Sequence, residues 1–328
     1  MQIAPHKKRV GVLRGGPSPL YDISIQTGKN ILANMPEQFI PVDIFVSKNG
    51  VWHEGGFEKS PARVLQSVDA VVNALHGKYG EDGTVQKILD DLRVSYTGSG
   101  SLPSAVSMNK VLTKKIFEKN GIKTPLYYQV LQDEFEADTP NVIDTIFRTL
   151  TFPLVVKPAK GGSSLGLTLV RTKFDIEKAI KNALEYSDSV LIEEYIAGKE
   201  ATCGVIEDFR NEHHYVLLPV EIVLPQNQIT SIYDHSGKFG AEPFAHVTPG
   251  NFTEFEKREI ERISKVAHAA LGLSHYSRAD FRIHPKRGVY CLEVNSLPDL
   301  SEKSTFIKGL EAVGSNIKEF ISHLLHKI

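Results

Sequence analysis

What most restricts the fold of this chain is an alternation in its opening third, where short apolar runs end in glycine-rich turns and stretches with helical spacing follow. Arg9–Leu13 stops at Gly15-Gly16-Pro17, Asp22–Met35 repeats its apolar residues at helical intervals, and Ile40–Val46 and Ala70–Leu75 read as buried strands. Strands that alternate with helices are joined in parallel by crossovers, so this spacing predicts an α/β sheet. A chain of 328 residues also outgrows a single core, and two or three domains follow.

The boundaries fall at glycines. After Tyr96-Thr97-Gly98-Ser99-Gly100 comes a helical stretch, Ser104–Asn120, closed by Gly121, and it reads as the hinge into a second domain. Strands Leu154–Lys157 and Leu167–Arg171 flank a Gly/Ser loop and predict a hairpin. Helix Asp175–Ser187 and strand Ser189–Ile196 complete that unit, and Gly198 marks the link to a third. There, strands Glu200–Ile206 and Tyr215–Leu224 precede a polar stretch, Pro225–Asn251, with little regular pattern; loops that long in compact domains are usually functional lids or disordered. Helix Glu254–Leu271 and strands Arg278–Ile283 and Val289–Val294 follow. The expected units are 1–100, 101–197 and 198–328, and the class is α/β with mixed α+β parts.

Composition excludes several partners. With 38 basic and 39 acidic side chains the net charge is -1, so no overall field draws the chain to nucleic acid or an anionic surface, and no apolar run approaches membrane-spanning length. The two cysteines, Cys203 and Cys291, lie in apolar strand-like runs as reduced core thiols do, which points to a reducing compartment, the cytoplasm.

Three constellations carry chemistry. Lys157-Pro158-Ala159-Lys160-Gly161-Gly162-Ser163-Ser164-Leu165-Gly166 offers uncovered backbone N–H groups, hydroxyls and ammonium groups, the chemistry a triphosphate needs; read alone, it is either a strand-based phosphate clamp or an ordinary hairpin. Alternation along a strand places Arg278, Asp280 and Arg282 on one face, and Glu293 and Asn295 on one face of the next. If those strands pair, Asp280, Glu293 and Asn295 converge as hard oxygen donors suited to Mg²⁺; the alternative is a solvent-facing strand pair with salt bridges. His76-Gly77-Lys78-Tyr79-Gly80-Glu81-Asp82-Gly83 lies between the apolar strand at 70–75 and a helix with Val85, Ile88 and Leu89, where open α/β sheets place ligands; it could equally cap that helix.

Taken together with Tyr96-Thr97-Gly98-Ser99-Gly100, Met108-x-Lys110 and Leu191-Ile192-Glu193, these motifs occur in the order and spacing of D-alanine–D-alanine ligases, and the chain resembles that family from about Gly11 to Phe306. The resemblance implies an ATP-grasp fold of three domains, with nucleotide between the central and C-terminal ones. It implies an ATP- and Mg²⁺- (or Mn²⁺-) dependent enzyme that joins a carboxylic acid to an amine through an acyl phosphate, by default making D-alanyl-D-alanine for peptidoglycan. A homodimer is common among such relatives.

The same resemblance assigns residues. Lys110 and Lys157 hold ATP phosphates with Ser163 and Ser164, Lys238 in the long loop reaches the terminal phosphate, Glu193 belongs to the nucleotide site, Glu194 and Ile196 meet the adenine through their backbones, and Glu200 binds the ribose hydroxyls. Asp280, Glu293 and Asn295 ligate the metal. Arg278 and a backbone N–H near Asp299 receive the oxyanion, Ser304 and Thr305 receive the second substrate's carboxylate, and His76 lines the amino-acid pocket. Three positions depart from the family. Leu20 stands where a glutamate engages the first substrate's ammonium, Phe239 replaces a tyrosine of the same hydrogen-bonded group, and Asp299 replaces a glycine. These departures allow a different donor or acceptor, a hydroxy acid or amine-free acid, and beyond that a nucleotide-binding module without turnover.

Overall fold

The computed structural model describes residues 7–162, 165–223 and 245–328. Ser163, Ser164, Lys238 and Phe239, singled out above, lie outside the described residues.

Three sheets organise the chain. The first contains β1 (Lys8–Gly15), β2 (Phe39–Val46), β3 (Trp52–Glu54), β4 (Phe57–Glu58), β5 (Ala70–Asn73) and β6 (Ser95–Tyr96), in the order β4-β3-β2-β1-β5-β6. β1 runs parallel to β2 and β5, and β5 to β6, as the alternation predicts. The crossover helices are α1 (Tyr21–Ala33), α2 (Pro61–Leu65) and α3 (Thr84–Asp91). β2 is not buried throughout as its sequence suggests: Ile40, Pro41 and Asp43 are exposed while Val42, Ile44 and Val46 are buried. The hairpin β3–β4 flanks it, so β2 alternates like a strand covered on one face.

α4 (Ser101–Met108) and α5 (Lys110–Lys119) replace the single helix expected over 104–120. Asn109 breaks it: its backbone is extended, and its side chain accepts the N–H groups of Val111 and Leu112, capping a new helix. Its backbone also bridges Lys160, pinning the start of α5 to the segment that follows Pro158.

The second sheet, β7 (Tyr127–Leu131), β8 (Leu154–Pro158), β9 (Thr168–Val170) and β10 (Ser189–Glu194), is ordered β7-β10-β8-β9. It is covered by α7 (Thr139–Thr149) and α8 (Ile176–Leu184), which follow the short α6 (Gln132–Ala137), and the packed core includes Ile146, Val156, Ile180 and Ile192. The third sheet contains β11 (Lys199–Phe209), β12 (Glu212–Val216), β13 (Val220–Val223), β14 (Ala245–Val247), β15 (Tyr276–His284) and β16 (Gly288–Asn295). β14 lies inside the stretch that the sequence leaves irregular. α9 (Glu254–Ala270) packs on this sheet, and a capping box between Thr253 and Glu256 starts it. The final helices, α10 (Thr305–Ala312) and α11 (Ile317–Lys327), share a core with the first sheet, where Phe306 and Phe320 join Val10, Val12 and Ile31. Both cysteines are buried and free, and no helix among the described residues is long and apolar enough to cross a membrane.

Candidate functional site

A cleft of about 340 Å³ and an adjoining one of about 370 Å³ meet at Leu20, Gly162, Asp280 and Glu293. Lys110, Lys157, Glu200 and Arg282 line the first, whereas His76, Arg278, Ser304 and Thr305 line the second.

The metal-candidate residues come together as the strand pairing predicts. β15 and β16 run antiparallel with Asp280 opposite Glu293 and Arg278 opposite Asn295, and a register shift follows between Asp280 and Phe281. Asp280 accepts from Thr202 Oγ1 at 2.7 Å and from both Arg278 Nε at 2.9 Å and Nη2 at 2.8 Å, while Asn295 Nδ2 is 3.5 Å away. Lys110 Nζ lies 3.7 Å from Glu293 Oε2 and also donates to the Gly161 carbonyl. Two carboxylates and an amide, compensated by a guanidinium and an ammonium, form an all-oxygen donor set that fits Mg²⁺ or Mn²⁺.

Lys110 owes its place to the helix break, because its backbone N–H donates to the Ala159 carbonyl at 2.9 Å and draws α5 against the phosphate-loop candidate. One helical turn later, on the same face, Lys114 is wholly buried, donates to Thr124 Oγ1, and pairs with Glu193 at 2.6 Å. The other oxygen of Glu193 pairs with Lys157 at 2.8 Å. Burial alone raises a carboxyl, but two ammonium groups overcome it and hold Glu193 below its ordinary value. Burial pushes Lys114 down, whereas Lys157, also desolvated, is raised by the charges of Glu193 and Glu293. Glu193 therefore sits inside a Lys114–Glu193–Lys157 chain at the floor of the cleft. Lys114 belongs to none of the sequence motifs; its only signal is a lysine on the buried face of an amphipathic helix.

Near the adenine candidates, Glu194 pairs with Arg287 at 2.8 Å, accepts the Leu126 N–H, and gives its own N–H to the Leu126 carbonyl. Ile196 is buried, and Glu200 lies 3.2 Å from Arg282.

The second cleft is built by turns. Gly77 has φ +74° and Gly80 lies so near the chain that a Cβ would meet the Leu75 carbonyl at 1.8 Å, so the glycines of the motif at 76–83 fold it tightly over β5. Asp82 is committed to that turn, accepting from the N–H groups of Tyr79 and Thr84. Glu81 instead accepts the Gly77 N–H at 3.1 Å and faces His76 Nδ1 at 3.3 Å, lining the cleft. Burial lowers the His76 imidazole, yet the bond and charge of Glu81, with Asp299 behind it, leave it raised. Thr27 joins the two ends of this network: its hydroxyl donates to Asp299 Oδ1 at 2.8 Å and lies 3.0 Å from His76 Nε2. The Asp299 carboxylate is further held by the Ser301 N–H at 2.7 Å and Ser301 Oγ at 2.8 Å. Thr27 carries no motif and was not singled out in the sequence.

Leu20, 8% exposed, precedes the first residue of α1 and lines both clefts, so its apolar side chain faces the place where they join. Ser304 caps α10 by accepting the Ile307 N–H, and Thr305 opens that helix; both are nearly buried, where a helix N-terminus attracts anions. His246 from β14 also faces this cleft, and burial, with Lys308 and Arg278 nearby, lowers it to about 4.

A family model described as D-ala D-ala ligase C-terminus matches residues 116–326, and its N-terminal counterpart matches 56–99. The D-alanine–D-alanine ligase of Carboxydothermus hydrogenoformans is 33% identical over 323 residues, covering 97% of both chains. That of Geobacter sulfurreducens is 31% identical, covering 97% of this chain and 93% of the relative. Among solved structures, the VanG D-Ala:D-Ser ligase from Enterococcus faecalis superposes with a TM-score of 0.84 at 25% identity, covering 98% of this chain and 99% of that one.

Proposed function

Because the chain belongs to the D-alanine–D-alanine ligase family, with its ATP-grasp fold, and is an ATP-dependent ligase that forms a peptide bond, we propose that it joins two small D-amino acids through an acyl phosphate in the cytoplasm, on the route to peptidoglycan. The observation that carries this reading is the junction of the two clefts at Asp280 and Glu293, one lined by ammonium groups suited to phosphates and the other by groups suited to an amino acid. Residues 1–100, 101–197 and 198–328 would supply, in turn, the donor side, the phosphate floor, and the metal and acceptor sides.

Phosphoryl transfer asks for positioning and neutralised charge more than for covalent help from the protein. Lys157, fixed by Glu193, and Lys110 would hold the phosphates of ATP, while Asp280, Glu293 and Asn295 would hold Mg²⁺ or Mn²⁺, whose charge would neutralise that of the phosphates. The donor carboxylate oxygen attacks the γ-phosphorus and ADP leaves. The acceptor amine then attacks the acyl carbon, loses a proton, and expels phosphate. Negative charge develops on the carbonyl oxygen, and Arg278, oriented by its two bonds to Asp280, stabilises it. Ser304 and Thr305 at the start of α10 receive the acceptor's carboxylate.

Leu20 favours a second reading within the same chemistry. A leucine cannot pair a donor ammonium, and Glu81, the neighbouring carboxylate in the cleft, is already engaged with His76. The donor would then be a D-amino acid whose ammonium is met elsewhere, or an acid without one. The test is phosphate release from ATP with D-alanine, D-hydroxy acids and amine-free acids as donor and acceptor, with products identified by mass. D-Alanyl-D-alanine at rates above all other pairs supports the first reading; preference for an amine-free donor supports the second. No release with any pair overturns both.

A further inference from the structure

We propose that Glu207, His214 and His268 form a second metal site, outside the reaction cleft, for Zn²⁺ or a similar borderline divalent cation. The three come from different elements. Glu207 on β11 is the register partner of His214 on β12, and α9, packed on those strands, contributes His268. One ligand atom from each lies within 4.8 Å of the others, and none of the three lines either cleft.

Geometry favours a tetrahedral cation here. Metal–ligand bonds of roughly 2.0–2.1 Å imply edges of about 3.3–3.4 Å between donors. His268 Nε2 and Glu207 Oε1 are already 3.5 Å apart. That is long for a charge-assisted hydrogen bond, which would close to about 2.7–2.9 Å. The third donor, from the partly exposed His214, lies within 4.8 Å of both.

The surroundings hold the other two donors. His268 is fully buried, and its Nδ1 lies 2.7 Å from Ser277 Oγ; a proton on Nδ1, donated to that hydroxyl, leaves the Nε2 lone pair facing Glu207. Engagement of the second ring nitrogen is the usual support of a ligating histidine. Glu207 is oriented by its other oxygen, Oε2, which accepts the His275 N–H at 2.6 Å and lies 3.7 Å from Lys327 Nζ, so Oε1 is presented alone. The Lys327 charge is shared with Asp208 at 2.6 Å, which weakens its opposition to a cation. Two imidazoles and a monodentate carboxylate suit Zn²⁺ better than Mg²⁺, and the partly exposed edge leaves a position for water. The site would tie the β11–β12 hairpin to α9 without taking part in turnover.

The test measures Zn²⁺ binding to the full chain by equilibrium competition with a chromophoric chelator, with millimolar Mg²⁺ present to fill the oxygen site. One equivalent of Zn²⁺ is expected, lost in His214→Ala and kept in His213→Ala, together with a Zn²⁺-dependent rise in Tm that His214→Ala lacks. Co²⁺ at the same site should give the intense visible bands of a tetrahedral complex. Retained ligase turnover by His214→Ala establishes that the variant is folded. No stoichiometric binding to the wild type, or equal binding to wild type and His214→Ala, overturns the proposal and leaves a hydrogen-bonded staple.

Discussion

The two ends of the cleft are built on opposite principles. At the phosphate end the charges pair with one another: Lys114, Glu193 and Lys157 form a buried chain with separations of 2.6 and 2.8 Å. At the amino-acid end the groups that would meet substrate, Arg278 on β15 apart, belong to turns and helix starts, and two of its positions, Leu20 and Asp299, are ones the sequence marks as expected departures from the family's pattern. A pre-organised phosphate end can serve any acid that must be activated, because activation consumes the same ATP whatever the acid. Specificity can therefore change at the other end without rebuilding the first.

The largest effect should come where the two ends meet. Glu293→Gln keeps the size of the side chain and removes one of two anionic donors, so kcat should fall by at least about 10³ with little change in Tm, because metal charge stabilisation is worth several kcal/mol. Full turnover of this variant, or of the wild type in excess chelator, would break the assignment of Asp280, Glu293 and Asn295. Lys157→Ala should come next. Loss of a charge-assisted contact to phosphate, worth about 1.5–3 kcal/mol, predicts roughly 10–100-fold weaker ATP binding by isothermal titration. Equal ATP affinity in both proteins would separate Lys157 from the nucleotide.

The sequence made the fold and the shared faces of β15 and β16 legible for a simple reason: strand alternation fixes which side chains share a face, and motif order points to the family; that the two strands pair came from the structure. The sequence did not reveal the break at Asn109, since α4 and α5 share one helical pattern and the interruption rests on the Asn109 cap together with the backbone bridge to Lys160. Lys114 was missed because a charged side chain on a helix reads as solvent-facing until its burial is known. Thr27 was missed because it meets His76 and Asp299 through folding, 49 and 272 residues away along the chain.

The contrast between the ends sharpens further at Leu20. Leu20→Glu returns a carboxylate to the junction of the clefts, and a fraction of the several kcal/mol carried by a buried charge pair should reappear, about tenfold in kcat/KM for D-alanine as donor. The Leu20→Glu/Phe239→Tyr double variant should gain at least as much. Wild-type D-alanine turnover as fast as that of either variant would show that the ammonium is already met. At the phosphate end, Lys114→Met should instead act on stability, by about 3 kcal/mol in urea unfolding at neutral pH, because a partner of a buried ion is lost. Glu193 has a lowered folded-state pKa, so its stabilisation is present above the ordinary value of 4.5 and is lost as pH falls through the lower folded value. The gap between wild type and Lys114→Met should narrow over that acid range; a gap that does not depend on pH would detach Lys114 from Glu193.

The smallest expected effect probes the network unique to the amino-acid end. His76 is lowered by burial but raised overall, first by its bond to Glu81, then by that carboxylate's charge, and after these by the charge of Asp299. Asp299→Asn removes the charge while retaining an oxygen that can accept from Thr27, so the ring should stay in place and titrate at lower pH than in the wild type. Glu81→Gln should lower it more, since it removes the charge of the group 3.3 Å from Nδ1 and turns a charge-assisted contact into a neutral one. An NMR titration of the His76 ring proton reads both shifts directly. If Asp299→Asn moves the midpoint as far as Glu81→Gln does, the Thr27 link transmits more than a distant charge, and Asp299 is a full member of the pocket. No movement in either variant would mean that neither carboxylate controls His76, and the amino-acid end would lose its claim to a coupled Glu81–His76–Thr27–Asp299 chain.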